Sequence, residues 1–94
     1  MSSTRRTFSY RITRLPGASR LDVRGVVTAA DAQAVNDAID RLAANRVGGL
    51  ILGLSEADIS ADLVALLRGH AFAALPEGRV AVRAAARPAA AYAS

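Results

Sequence analysis

Ser60 stands among three carboxylates, Glu56, Asp58 and Asp62, in the stretch LILGLSEADISADLVALL (residues 50–67). A serine so placed could act as a nucleophile, a phosphate acceptor or a helix cap. A nucleophilic serine needs a base within hydrogen-bond reach. His70 is the sole histidine and lies ten residues further on, almost three turns away if the intervening chain is helical. With one histidine and no cysteine, no His/Cys set can be assembled around a metal. The acids lack the Gly-containing twelve-residue loop that wraps calcium. Gly48-Gly49 and Gly53 have neither the spacing nor the following lysine of a phosphate-binding loop. No catalytic residue, metal or cofactor is therefore assigned, and the chain reads as a binding module rather than an enzyme.

Size and charge narrow the class. Ninety-four residues make one domain with a small core and little room for a deep cavity. No apolar run approaches the ~20 residues of a membrane span, and MSSTRRTFSYR has no apolar stretch behind its arginines, so neither an anchor nor a secretory leader is expected. The absence of cysteine and of a leader makes the cytoplasm the expected compartment. All twelve basic residues are arginines; six fall within residues 1–24 against Asp22 alone, so the net +4 belongs to the N-terminal quarter. Arg5, Arg6, Arg11 and Arg24 form a candidate patch for an anionic ligand, nucleic acid or a lipid headgroup. No aromatic platform for stacking bases accompanies it, which makes nucleic acid the weaker reading.

The elements that carry these residues follow from hydropathy. Phe8, Tyr10 and Ile12 alternate with Ser9, Arg11 and Thr13, the period of a half-buried strand. Pro16-Gly17 turns the chain, and Leu21 and Val23 lie opposite Asp22 and Arg24 in a second strand, giving an antiparallel hairpin that Gly25-Val26-Val27 either extends or bulges. Thr28 and Asp31 form a capping-box-like start to a helix whose core positions are Val35, Ile39 and Leu42, ending near Asn45-Arg46. Leu50–Leu54 reads as a short strand buried on both faces, and Ser55–Ile59 as the loop after it. Ser60 opens a second amphipathic helix with Leu63, Val64, Leu66, Leu67, Ala71 and Phe72 on its apolar side, stopped by Pro76-Glu77-Gly78. His70 falls at the edge of that side, as a partly buried structural residue. Val80 and Val82 mark a last strand. Residues 1–6 read as a flexible basic tail, and 87–94 as a tail or short terminal helix. The expected fold is α/β: a two-layer sandwich of order β-β-α-β-α-β, with a mixed sheet and both helices on one face.

This order resembles the STAS domain of anti-sigma factor antagonists, the SpoIIAA type. Gly25-Val26-Val27-Thr28 matches the family's G-x-hydrophobic-T segment before the first helix, and Leu52-Gly53-Leu54-Ser55 its LxLS strand end, with Gly53 where an aspartate is usual. Asp58-Ile59-Ser60-Ala61 is the counterpart of its D-S-S-G phosphorylation motif, with Ile59 in place of the first serine and Ala61 in place of the glycine. The match covers roughly residues 19–85. The segment Ser55–Asp58 is about three residues shorter than usual, and the family normally continues with a helix, strand and helix after the fourth strand, where this sequence has Arg87–Ser94. The resemblance implies a bacterial regulatory module that acts by protein–protein interaction, docking an anti-sigma factor or serine-kinase type of partner. Ser60 would be its phosphorylation switch, and Ser55, Glu56, Asp58, Ile59, Ala61 and Asp62 its docking face. Phosphate there would join three carboxylates and repel an acidic or apolar partner; otherwise Ser60 is a plain cap. Self-association through an unpaired edge strand, giving a homodimer, is a further alternative.

Overall fold

A computed structural model describes residues 7–76 and 78–84 of the chain. The element order is β1 (Ser9–Leu15), β2 (Ala18–Val26), α1 (Ala29–Ala44), β3 (Gly49–Asp58), α2 (Ala61–Ala74) and β4 (Arg79–Ala84). The strands form one mixed sheet in the order β1-β2-β3-β4. β1 pairs antiparallel with β2, whereas β2–β3 and β3–β4 are parallel. The expected two-layer α/β order is the observed one. The basic tail at residues 1–6 and the tail or helix at 87–94 lie outside the described residues.

Alternation sorts the sheet into two faces. Leu21 and Val23 of β2 share one face with Leu50, Leu52 and Leu54 of β3, and all five are almost completely buried. Val80 and Val82 sit in register with Leu50 and Leu52 and pack against the same core. Both helices cover this face. Burying eight large side chains such as Leu21, Ile39, Leu52 and Leu67 contributes roughly 1.5–3 kcal/mol each before chain entropy is charged. Helix α1 starts as its sequence dictates. Thr28 Oγ1 accepts the Asp31 N–H at 3.2 Å, and the Asp31 carboxylate accepts the Thr28 N–H at 3.0 Å. Two of the helix's unpaired N-terminal donors are thereby satisfied. At the other end the Asn45 N–H closes on the carbonyls of Arg41 and Leu42.

Three expectations are corrected. Ser55–Asp58 is not a loop but the second half of β3, which runs ten residues. Between the pairs Asp22↔Gly53 and Arg24↔Glu56 the register shifts: β2 advances two residues while β3 advances three. This is a β-bulge, and it reverses the phase of alternation along β3. Without it Glu56 and Asp58 would point into the core after Leu54. With it Ala57 returns to the core, 7% exposed, opposite Gly25, and both acids face solvent. A leucine run that breaks into S-E-A-D thus continues as a strand at the cost of one extra residue.

β3 is also not buried on both faces. It is interior in strand order, but only the leucine face is covered, and Ile51 on the other face is half-buried. Helix α2 departs as well, because only Leu67 and Ala71 of its apolar residues are buried. Leu63 and Val64 pack at the margin of the core, while Leu66 and Phe72 are 52% and 46% exposed.

Candidate functional site

The stretch that carries Ser60 is built by the end of β3 and the first turn of α2. Ser60 has extended backbone angles (φ −73°, ψ 157°), and its Oγ accepts the Leu63 N–H at 3.2 Å. That is the geometry of a helix N-cap, and the hydroxyl remains solvent-exposed. Asp62 follows in the first turn, where a carboxylate favours the positive end of the helix dipole. Ser55, Glu56, Asp58, Ala61 and Asp62 are all exposed, whereas Ile59 is half-buried and packs against the core. Ile59 therefore anchors the corner, and the residues on either side of it are presented outward. The bulge in β3 is what turns Glu56 and Asp58 to the solvent beside this corner.

The arrangement has few chemical options. His70 lies about 15 Å along the helix axis from Ser60 by helical rise. Its Nε2 is engaged instead at 2.7 Å from Asp40 Oδ1 of α1. No imidazole therefore stands beside the serine, and no group of three or more metal-ligating side chains occurs among the described residues. What the corner does supply is a capped helix N-terminus with an exposed hydroxyl, whose free N–H groups and dipole favour an added phosphate. The same phosphate would lie near Glu56, Asp58 and Asp62, so it would sharpen an already negative surface.

The candidate arginine patch is only partly drawn together. Arg11 of β1 and Arg24 of β2 are exposed on the sheet face that no helix covers, in register with Asp22 and Glu56 respectively. Arg5 and Arg6 lie outside the described residues. Two arginines that sequence reading passed over, Arg79 and Arg83 of β4, occupy the same open face, in register with Gly49 and Gly53. The alternation of Arg79, Ala81 and Arg83 with the core residues Val80 and Val82 carried that signal. The contact between His70 and Asp40 was missed for another reason: it spans thirty positions, and no periodicity reports it.

No helix among the described residues is long and apolar enough to cross a membrane. No protein-family model matches the sequence, and no curated protein matches it. The fold is more telling. A crystal structure of an anti-sigma factor antagonist from Mycobacterium paratuberculosis superposes with a TM-score of 0.68 at 22% identity. The match covers 86% of this chain and 73% of that one. The likeness is one of architecture, with the same strands and helices in the same order. The chain has the fold of that anti-sigma factor antagonist, an α/β sandwich of STAS type.

Proposed function

We propose that this chain is a non-enzymatic regulatory module that docks a protein partner through the end of β3 and the start of α2. The partner resembles the anti-sigma factors and serine kinases that the sequence resemblance implies. Ser55, Glu56, Asp58, Ala61 and Asp62 form the docking face, Ile59 anchors it to the core, and Ser60 is its switch. The observation that carries this reading is Ser60 itself, an exposed hydroxyl held at the N-cap of α2 by the Leu63 N–H. In that position a phosphate gains helix-terminal donors without rearranging the backbone, and it alters the charge of the surface a partner must cover. The shared fold with an anti-sigma factor antagonist supports a regulatory role.

The test is affinity capture with full-length wild-type, Ser60→Ala and Ser60→Glu baits at moderate salt, followed by titration of whichever protein is retained. Retention by the first two and release by Ser60→Glu is the expected result. Equal retention by all three would reduce Ser60 to a cap while leaving the docking face in place. Nucleic acid or lipid on every bait, washed off by salt, would replace this reading with the arginine patch.

A further inference from the structure

Helices α1 and α2 both cover the leucine face, which leaves the other face of the sheet without a layer among the described residues. Its composition is ordered. Leu15 of β1 pairs with Ala18 of β2; Ile51 of β3 pairs with Ala81 of β4. Gly49, whose absent side chain leaves room beside Ala18, lies between these pairs. Together they make a low apolar strip that runs obliquely from β1 to β4. Leu15 is 39% exposed, Ala81 is exposed, and Ala18 and Ile51 are half-buried.

Arginines line the strip on both sides. Arg20 and Arg83 stand along its upper edge, with Arg11 one row further up beyond Thr13, and Arg79 stands at its lower corner, all exposed. The one carboxylate among them, Asp22, leans over Gly53 and accepts from Arg20 Nε at 3.0 Å. The lower half of the face is therefore apolar at its centre and positive at its rim. Crossing four strands at ~4.8 Å spacing with one step along the strands makes the strip about 16 Å long. That is about three turns of an α-helix.

We propose that this open face is a second docking surface, for an acidic amphipathic helix of a partner protein. Three turns of apolar side chains would lie on Leu15, Ile51 and Ala81, and flanking carboxylates would meet the guanidinium forks of Arg20, Arg79 and Arg83. The charge of the rim selects the partner's sign. The described residues of this face include no aromatic side chain, with Phe8 and Tyr10 turned to the core side, which disfavours single-stranded nucleic acid, since that needs stacking surfaces. A homodimer through this face would bring its arginine rim against a copy of itself, and like-charge juxtaposition disfavours that. The surface lies on the opposite side of the sheet from the helices, and the proposal does not depend on the role of Ser60.

The test uses the full-length protein and two synthetic three-turn helices with the same leucine stripe, one flanked by glutamates and one by lysines. Binding is read by fluorescence anisotropy and by amide shifts in two-dimensional NMR. Saturable binding of the glutamate helix is expected, with shifts at Ala18, Ile51 and Ala81, and about tenfold or more weaker binding to Arg83→Glu or Ile51→Asp. Both substitutions are on the solvent side, so the spectrum itself reports whether the fold is kept. The lysine helix binding as well as the glutamate one, or shifts confined to α2, would overturn the proposal. So would concentration-dependent dimerisation through this face, or duplex DNA competing at the same arginines while the glutamate helix fails to saturate.

Discussion

His70 Nε2 stands 2.7 Å from Asp40 Oδ1, a polar contact that ties the C-terminal half of α2 to the same half of α1. Leu67 and Ala71 of α2 are buried in the same apolar core as Val35, Ile39 and Leu42 of α1. The His70 and Asp40 side chains are 35% and 57% exposed, so water competes for both partners. His70→Ala should lower the unfolding free energy by about 0.5–1 kcal/mol. The cost should shrink in an Asp40→Ala background, and urea denaturation of the four-member cycle measures the difference. Identical costs in both backgrounds would assign the effect to packing of the imidazole alone.

Gly25 and Gly17 both have positive φ, 84° and 76°, yet they should respond differently to a methyl group. Nothing lies within 4 Å of a Cβ built on Gly17, whereas one on Gly25 would run into the backbone of Thr7 and Phe8. Gly17→Ala carries only the left-handed backbone penalty, about 1 kcal/mol. Gly25→Ala adds a clash with the entry to β1, and the total should reach about 2–4 kcal/mol. Chemical denaturation of the two variants side by side decides this. Equal losses would show that the start of β1 can move away from Gly25.

Periodicity made most of the architecture legible, because the leucine face of β2 and β3 and the capping box of α1 are local patterns. It failed where a neighbour overrides the local pattern. The bulge at Ser55 is visible only against β2, whose register it offsets, so S-E-A-D looked like the end of a strand. Helix α2 is rich in leucine and alanine on every side, so its apolar residues outnumber the core positions they can fill. Leu66 and Leu67 are adjacent in sequence, yet one is 52% exposed and the other wholly buried. Leu67→Ala should cost about 2–5 kcal/mol by opening a cavity. Leu66→Ser should stay within about 0.5 kcal/mol of wild type. Thermal melts that ranked the two the other way would mean that α2 is rotated about its axis.

Asn36 is a buried polar residue within the apolar face of α1, 6% exposed, and its Oδ1 accepts no hydrogen bond among the described residues. An unpaired buried acceptor costs about 1–3 kcal/mol, and an apolar side chain of similar branching removes that cost. Asn36→Leu should raise the midpoint of urea unfolding without changing its slope. A lowered midpoint would mean that the extra volume of leucine strains the site by more than the acceptor costs.

The two helix caps separate structure from regulation at Ser60. Thr28 takes part in two reciprocal bonds with Asp31, whereas Ser60 accepts one, from Leu63. The Thr28 N–H belongs to the backbone and survives in Thr28→Ala, so Thr28→Ala and Ser60→Ala each remove one side-chain cap bond and should cost similar amounts, within the roughly 0.5–2 kcal/mol range of N-cap losses. Ser60→Asp keeps a capping oxygen and adds a charge that the helix dipole favours, so its stability should match or exceed wild type. If Ser60→Asp also loses partner binding while Ser60→Ala retains it, the defect cannot be one of folding, because the more stable variant is the one that fails. Loss of binding in proportion to loss of stability, with Ser60→Ala the weaker of the two, would identify Ser60 as a cap whose only contribution is to hold α2 in place.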